Sequence, residues 1–194
     1  MDAIARYHEI LAEPEVAEAS HVMLDAELRR RNMVFGGRPL CTVLRPRFLS
    51  GDSYRTLAGR MQALMRVFGR AHAAAMADPA LRAQFRLADW EETLVLADPG
   101  YQSASPHGRL DCFEDPATGG ISLTEYNAET PAGAGFNDLL TEAFAAIPVM
   151  RRFRRQWDIR PLPARAGVVS VLLDAWREFS GRWERPRIAI VDWD

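Results

Sequence analysis

No lysine occurs anywhere in the 194 residues, so every one of the 24 basic side chains is an arginine. That absence excludes any mechanism in which a lysine of this chain grips a nucleotide phosphate or forms a Schiff base. Cysteine is almost as scarce. Cys41 and Cys112 are the only two, far apart and without metal-site spacing, which is the pattern of a reduced intracellular protein. The N-terminus lacks an apolar signal region and the chain lacks an apolar run of about 18 residues, so a cytoplasmic protein with no membrane partner is expected. Excess charge of one sign is missing too. A formal net charge of -2, with arginines spread out apart from one short run, gives no reason to expect nucleic acid as a partner. There is no internal repeat and no low-complexity linker, and only Pro161 marks a weak boundary.

What is present can fill a core: 48% of the residues are hydrophobic, enough for one generous domain. Ile4, Tyr7, His8 and Leu11 fall at helical spacing, and Pro14 then opens a second helix to about Arg31 with Val16, Ala19, Met23 and Ala26 as its apolar stripe. Gly36, Gly37 and Pro39 interrupt. Leu40 to Leu49 reads as an edge strand or irregular segment because Pro46 excludes a helix, and Arg45 and Arg47 on it are either solvated or aimed at an anion. Asp52 or Ser53 caps a long helix to about Ala77, carried by Leu57, Met61, Leu64, Met65, Phe68, His72 and Met76. Pro79 starts a short helix to about Phe85, and Trp90 to Leu96 fits a helix or a strand.

Beyond Pro131, Asn137 or Asp138 is expected to cap a helix whose face is Leu139, Leu140, Ala143, Phe144 and Ile147, and Pro148 opens another through Trp157. The arginines of that helix, Arg151, Arg152, Arg154 and Arg155, read as a solvated face. Val168, Val169, Leu172, Leu173 and Trp176 predict a further helix ending near Gly181. Ile188 to Val191 then reads as a buried strand opening an α/β layer. Because ligand-binding loops follow the carboxyl ends of such strands, the stop three residues later predicts a fragment. The expected fold class is α+β, a mixed α/β arrangement. It has a helical and hairpin part over 1–160 and the start of an α/β layer over 161–194.

The chemistry gathers between His107 and Asp138. Arg109 to Phe113 and Ile121 to Glu125 are strand-like, and the Asp115 to Gly120 stretch between them is dense in turn residues. A turn centred on Thr118 sets Asp111 opposite Glu125 and Arg109 opposite Asn127, all on one face, with Phe113, Ile121 and Leu123 continuing that face toward the turn. Two adjacent carboxylates repel, so a cation or an arginine is wanted beside them. On spacing alone two readings stand: an oxygen-ligand site for a hard cation such as magnesium, and a cross-strand ion-pair cluster. After the hairpin, Thr130 to Gly135 precedes a helix start, where backbone N–H groups favour anions; Thr130 and Gly133 are its candidate cofactor contacts, and a flexible connector is the other reading.

R-L-D at Arg109 to Asp111, E-Y-N at Glu125 to Asn127 and the A-E-T-P-A-G-A-G-F-N-D that follows resemble the metal-binding segment of circularly permuted ATP-grasp proteins, the group that includes the glutathionylspermidine synthase-like enzymes. The resemblance extends from R-P-R-F-L at Arg45 to Leu49 through the terminal I-A-I-V-D-W. It implies magnesium ligation by Asp111, Glu125 and Asn127 and a catalytic phosphate contact from Arg109, with Mg2+ and ATP as cofactors. The implied reaction joins a small-molecule or peptide-like carboxylate to an amine through an acylphosphate, with Glu129 and Thr130 toward the acyl substrate. The lysine-bearing lobe that clamps ATP in that family has no counterpart here, so the resemblance implies an N-terminal portion inactive alone. A non-catalytic ligand-binding module and a purely structural domain are the alternatives.

Overall fold

The computed structural model describes residues 2–115, 118–129 and 131–191. Helices α1 (Ala3–Leu11), α2 (Pro14–Arg30), α3 (Gly51–Ala77), α4 (Pro79–Arg82), α5 (Asp89–Val95), α6 (Ala134–Ala146), α7 (Pro148–Phe153) and α8 (Arg165–Ser180) accompany two antiparallel hairpins, β1 (Val34–Phe35) with β2 (Arg38–Pro39), and β3 (Arg109–Glu114) with β4 (Ile121–Asn127). The protein is therefore mixed α and β, with helix dominant. It forms two compact units, one from Met1–Leu49 with Ala132–Gly167 and the other from Ser50–Pro131 with Val168–Asp194. Each unit joins two separated stretches of chain, whereas the parts expected from sequence, 1–160 and 161–194, are linear.

In the first unit, α1, α2, α6 and α7 pack together around a core of Tyr7, Ile10, Leu24, Leu28, Ile147, Val149 and Phe153. Each aliphatic or aromatic side chain fully buried this way stabilises the fold by about 1.5–3 kcal/mol. Tyr7 meets Phe153 edge to face at 5.1 Å and donates its hydroxyl hydrogen to the Leu44 carbonyl at 2.8 Å, so burial, which pushes the phenol far above its ordinary range, leaves it partnered. The buried line of α2 is Val16, Ser20, Leu24 and Leu28. The expected stripe is corrected here, since Ala19 and Ala26 are exposed. Polar Ser20 hid the true phase: its Oγ accepts the Val149 N–H at 3.1 Å and so caps the start of α7 from a neighbouring helix.

In the second unit, α3 has the expected span, and Leu57, Met61, Leu64, Met65 and Phe68 are half-buried along one side; Ala75 is its only fully buried residue and His72 is exposed. Its C-terminus is closed by buried Arg82, which donates to the carbonyls of Ala75 and Met76 and pairs with Glu92 at 2.8 Å. Trp90 to Leu96 resolves as helix, and Glu91 reaches back to the Ala88 N–H at 2.8 Å to start it.

The expected buried strand at Ile188 to Val191 is not formed. The segment carries no strand pairing, and Ile190 and Val191 are both 93% exposed. An apolar run becomes a buried strand only where neighbours take its ladder hydrogen bonds, and among the described residues no strand lies beside it. Hydrophobicity alone supplied the expectation; pairing decides the outcome.

Candidate functional site

The β3–β4 hairpin places Arg109 opposite Asn127, Leu110 opposite Tyr126 and Asp111 opposite Glu125. That is the register expected from the turn residues. Gly119 turns the chain with φ +64°, and the Thr118 hydroxyl bonds the Asp115 carboxylate at 2.7 Å; Pro116 and Ala117 lie outside the described residues. At the other end, the Ser105 hydroxyl donates to the Ala128 carbonyl and ties the chain entering β3 to the end of β4.

Beyond Asp111 the ladder slips. Cys112 pairs with Leu123, so Thr124 is the extra residue of a β-bulge, and its hydroxyl donates to the Asp111 carbonyl at 2.9 Å. A one-residue slip exchanges the faces of everything past it. The expected continuation of the polar face through Phe113, Ile121 and Leu123 is therefore corrected. Phe113 stays on that face but is 73% exposed, while Ile121 and Leu123 share the opposite face with Leu110, Cys112 and Tyr126. The polar face is open, not the rim of a core.

The opposite face is the anchored one. Tyr126 stacks on Phe68 of α3 with ring centroids 4.5 Å apart, and Arg60 of α3 donates to the Gly119 carbonyl. Gly108 lies under Tyr126, where a Cβ would stand 2.8 Å from the ring. A side chain at 108 would push Tyr126 off its stack. Gly108, Thr124 and Tyr126 are the supporting residues that sequence reasoning passed over. The one legible signal was an aromatic between Glu125 and Asn127, which the two-residue period sends to the face away from them.

On the open face, Arg109 forks onto Asp111, Nε to Oδ1 at 2.8 Å and Nη2 to Oδ2 at 3.1 Å, with Nη2 also 3.8 Å from Glu125 Oε1. The Asn127 amide donates to Glu125 Oε1 at 2.9 Å. The Arg109 guanidinium holds the Asp111 carboxyl below its ordinary range, and partial burial opposes this. In return Asp111 pushes the Arg109 guanidinium up. One guanidinium against two carboxylates leaves the cluster negative.

The donor set suits a hard dication in kind: two carboxylates and one carboxamide, all oxygen. Among the described residues no group of three or more His, Cys, Asp or Glu is placed to hold a metal ion. The structure brings together Arg109, Asp111, Glu125 and Asn127. Gly133 belongs to the other compact unit, Glu129 is exposed, and Thr130 lies outside the described residues.

Gly133 is itself the N-cap of α6, at φ +117°, and its carbonyl accepts the Asn137 N–H at 2.8 Å. The expected cap at Asn137 or Asp138 is corrected, because the helix begins a turn earlier. Those two side chains instead hold the start of α8: Asp138 accepts the Ala164 N–H at 2.8 Å and the Arg165 N–H at 3.2 Å, and Asn137 donates to the Leu162 carbonyl at 2.7 Å. The Ala164 N–H, chiefly, holds the Asp138 carboxyl far below the ordinary carboxylate range, with Asn137 and Arg165 adding to it.

No protein-family model, no curated protein and no solved structure matches this chain.

Proposed function

We propose that the open face of the β3–β4 hairpin is the cation- and phosphate-binding edge of an ATP-dependent carboxylate–amine ligase of the circularly permuted ATP-grasp kind. The observation that carries this reading is the pairing of Asp111 with Glu125 and of Arg109 with Asn127, which sets three oxygen donors and one guanidinium on one solvent-facing patch. Asp111, Glu125 and Asn127 would hold magnesium, whose bound charge would offset that of a transferring phosphoryl group. Arg109 contributes a planar fork that matches phosphate or carboxylate oxygens. The bulge at Thr124 and the Tyr126 anchor fix the strand that presents these groups, which is the positioning such catalysis depends on. In this reading the nucleotide clamp is supplied from outside these residues, since a chain without lysine cannot supply a lysine clamp.

A second reading is a hairpin whose charges serve each other alone, favoured by the Arg109 fork that engages both oxygens of Asp111. Thermal unfolding with magnesium, with and without ATP, separates the two. Ligation raises the apparent stability by mass action, about 2.7 kcal/mol at a hundredfold excess over the dissociation constant. The ligase reading expects a magnesium-dependent rise in Tm that Asp111→Asn and Glu125→Gln each abolish. A rise that survives both substitutions removes the hairpin from the binding site.

A further inference from the structure

We propose that the run from Ile188 to Val191 of one copy of this chain adds as a third strand to the outer edge of β3 in a second copy, and that the exchange is reciprocal. The β3–β4 hairpin is a sheet of two strands, and among the described residues neither strand has another strand beside it. A two-stranded hairpin is marginal in water and carries ladder N–H and C=O groups along both outer edges, which makes it a template for one more strand. Its two edges are not equal. β4 holds the bulge at Thr124, which breaks the regular spacing of its backbone groups, whereas β3 runs for six residues without an extra one. The edge of β3 is therefore the one that a regular strand fits.

A segment of fitting chemistry lies unpaired in the same compact unit. Three of the four residues Ile188, Ala189, Ile190 and Val191 are β-branched, the composition that favours strands, yet they lie outside any strand, with Ile188 62% and Ile190 and Val191 each 93% exposed. Strand alternation sends Ile188 and Ile190 to one side and Ala189 and Val191 to the other. Laid beside β3, the two isoleucines extend the apolar face of Leu110 and Cys112, while Ala189 and Val191 flank Phe113, which is 73% exposed on the other face. Pro186 precedes the run, so no ladder N–H is lost within it. Charge agrees with this pairing. The hairpin strands carry Asp111, Glu114 and Glu125 against Arg109 alone, and the run is led in by Arg185 and Arg187, both exposed and without an ion pair among the described residues. Within one chain the run and β3 stay unpaired, so the strand comes from a second copy. Each copy then gives one strand and receives one, which closes a two-fold dimer. Nothing in this pairing requires a bound cation.

Sedimentation equilibrium of the full chain at low ionic strength, over a range of concentrations, reads the assembly. The wild type is expected to dimerise. Ile190→Pro, which removes a ladder N–H, and Ile188→Asp are each expected to abolish the dimer, and Arg187→Glu to weaken it about tenfold, an effect that shrinks as salt is added. All three side chains are exposed, so each variant is expected to keep the wild-type circular dichroism spectrum. A mixture of deuterated, isotope-labelled chains with protonated, unlabelled ones then locates the strand by NMR. Nuclear Overhauser effects are expected from the methyl groups of Ile188, Ile190 and Val191 in one chain to the amides of β3 in the other. A monomer at every concentration overturns the proposal, as does a dimer that survives either isoleucine substitution. Methyl contacts to β3 that arise only within one chain overturn the second copy as the source of the strand, and open-ended assemblies in place of a dimer overturn the reciprocal exchange.

Discussion

Arg109 and Asp111 carry the sharpest electrostatic consequence at the residue scale. The guanidinium holds the Asp111 carboxyl below its ordinary range, so the folded state keeps Asp111 ionised where the unfolded chain begins to protonate it. A lowered folded-state value means that the pair's contribution to stability is complete above the unfolded value of about 4 and is lost as pH falls through the folded one. Carboxyl carbon NMR on labelled protein checks this. Asp111 is expected to titrate below a free aspartate, and Arg109→Met is expected to move the midpoint upward; an ordinary midpoint in the wild type contradicts the fork. Both members are half-exposed, so added salt is expected to weaken the effect. The four residues of the cluster were legible in the sequence because strand alternation and a dense turn fix which side chains meet. Ser20 was not, because a buried hydroxyl that caps another helix looks like a break in an apolar stripe.

At the scale of elements, the hairpin is held by features on the face away from the charges. The stack of Tyr126 on Phe68 and the vacant Cβ position of Gly108 set how β4 lies against α3. Gly108→Ala brings a carbon to 2.8 Å from the Tyr126 ring, so the ring has to move and its stacking is lost. The expected cost is about 1 kcal/mol, read as a lower midpoint in urea unfolding. A variant as stable as the wild type shows that the ring can shift without loss. The bulge at Thr124 had no signature, since threonine is an ordinary strand residue, and it alone separates the expected face from the observed one. The start of α6 was misplaced for a related reason. Asn137 and Asp138 have capping side chains, but those caps serve the start of α8, whose arrival no local pattern announces.

For the molecule as a whole, sequence order and spatial order part company. Each compact unit is assembled from two distant stretches, a closure that hydrophobic periodicity within single helices does not reveal. The first unit has a full core of four helices. The second carries the charged hairpin; α8 has no buried residue, and Ile188 to Val191 lie outside any strand and are exposed. Most helix spans were legible, since apolar spacing, proline starts and glycine stops act locally, but α7 stops at Phe153 and does not run on to the expected Trp157. The failed strand at Ile188 depended on partners, which no single segment encodes. Among the described residues, no helix is long and apolar enough to cross a membrane.

A magnesium titration followed by NMR of side-chain carboxyl and carboxamide groups is the direct test of the proposed cation site at Asp111, Glu125 and Asn127. Saturable shifts concentrated on those three residues are expected, with the Arg109 guanidinium signals moving at the same magnesium concentrations. Shifts spread over the many surface carboxylates, with none of the three saturating, would contradict it.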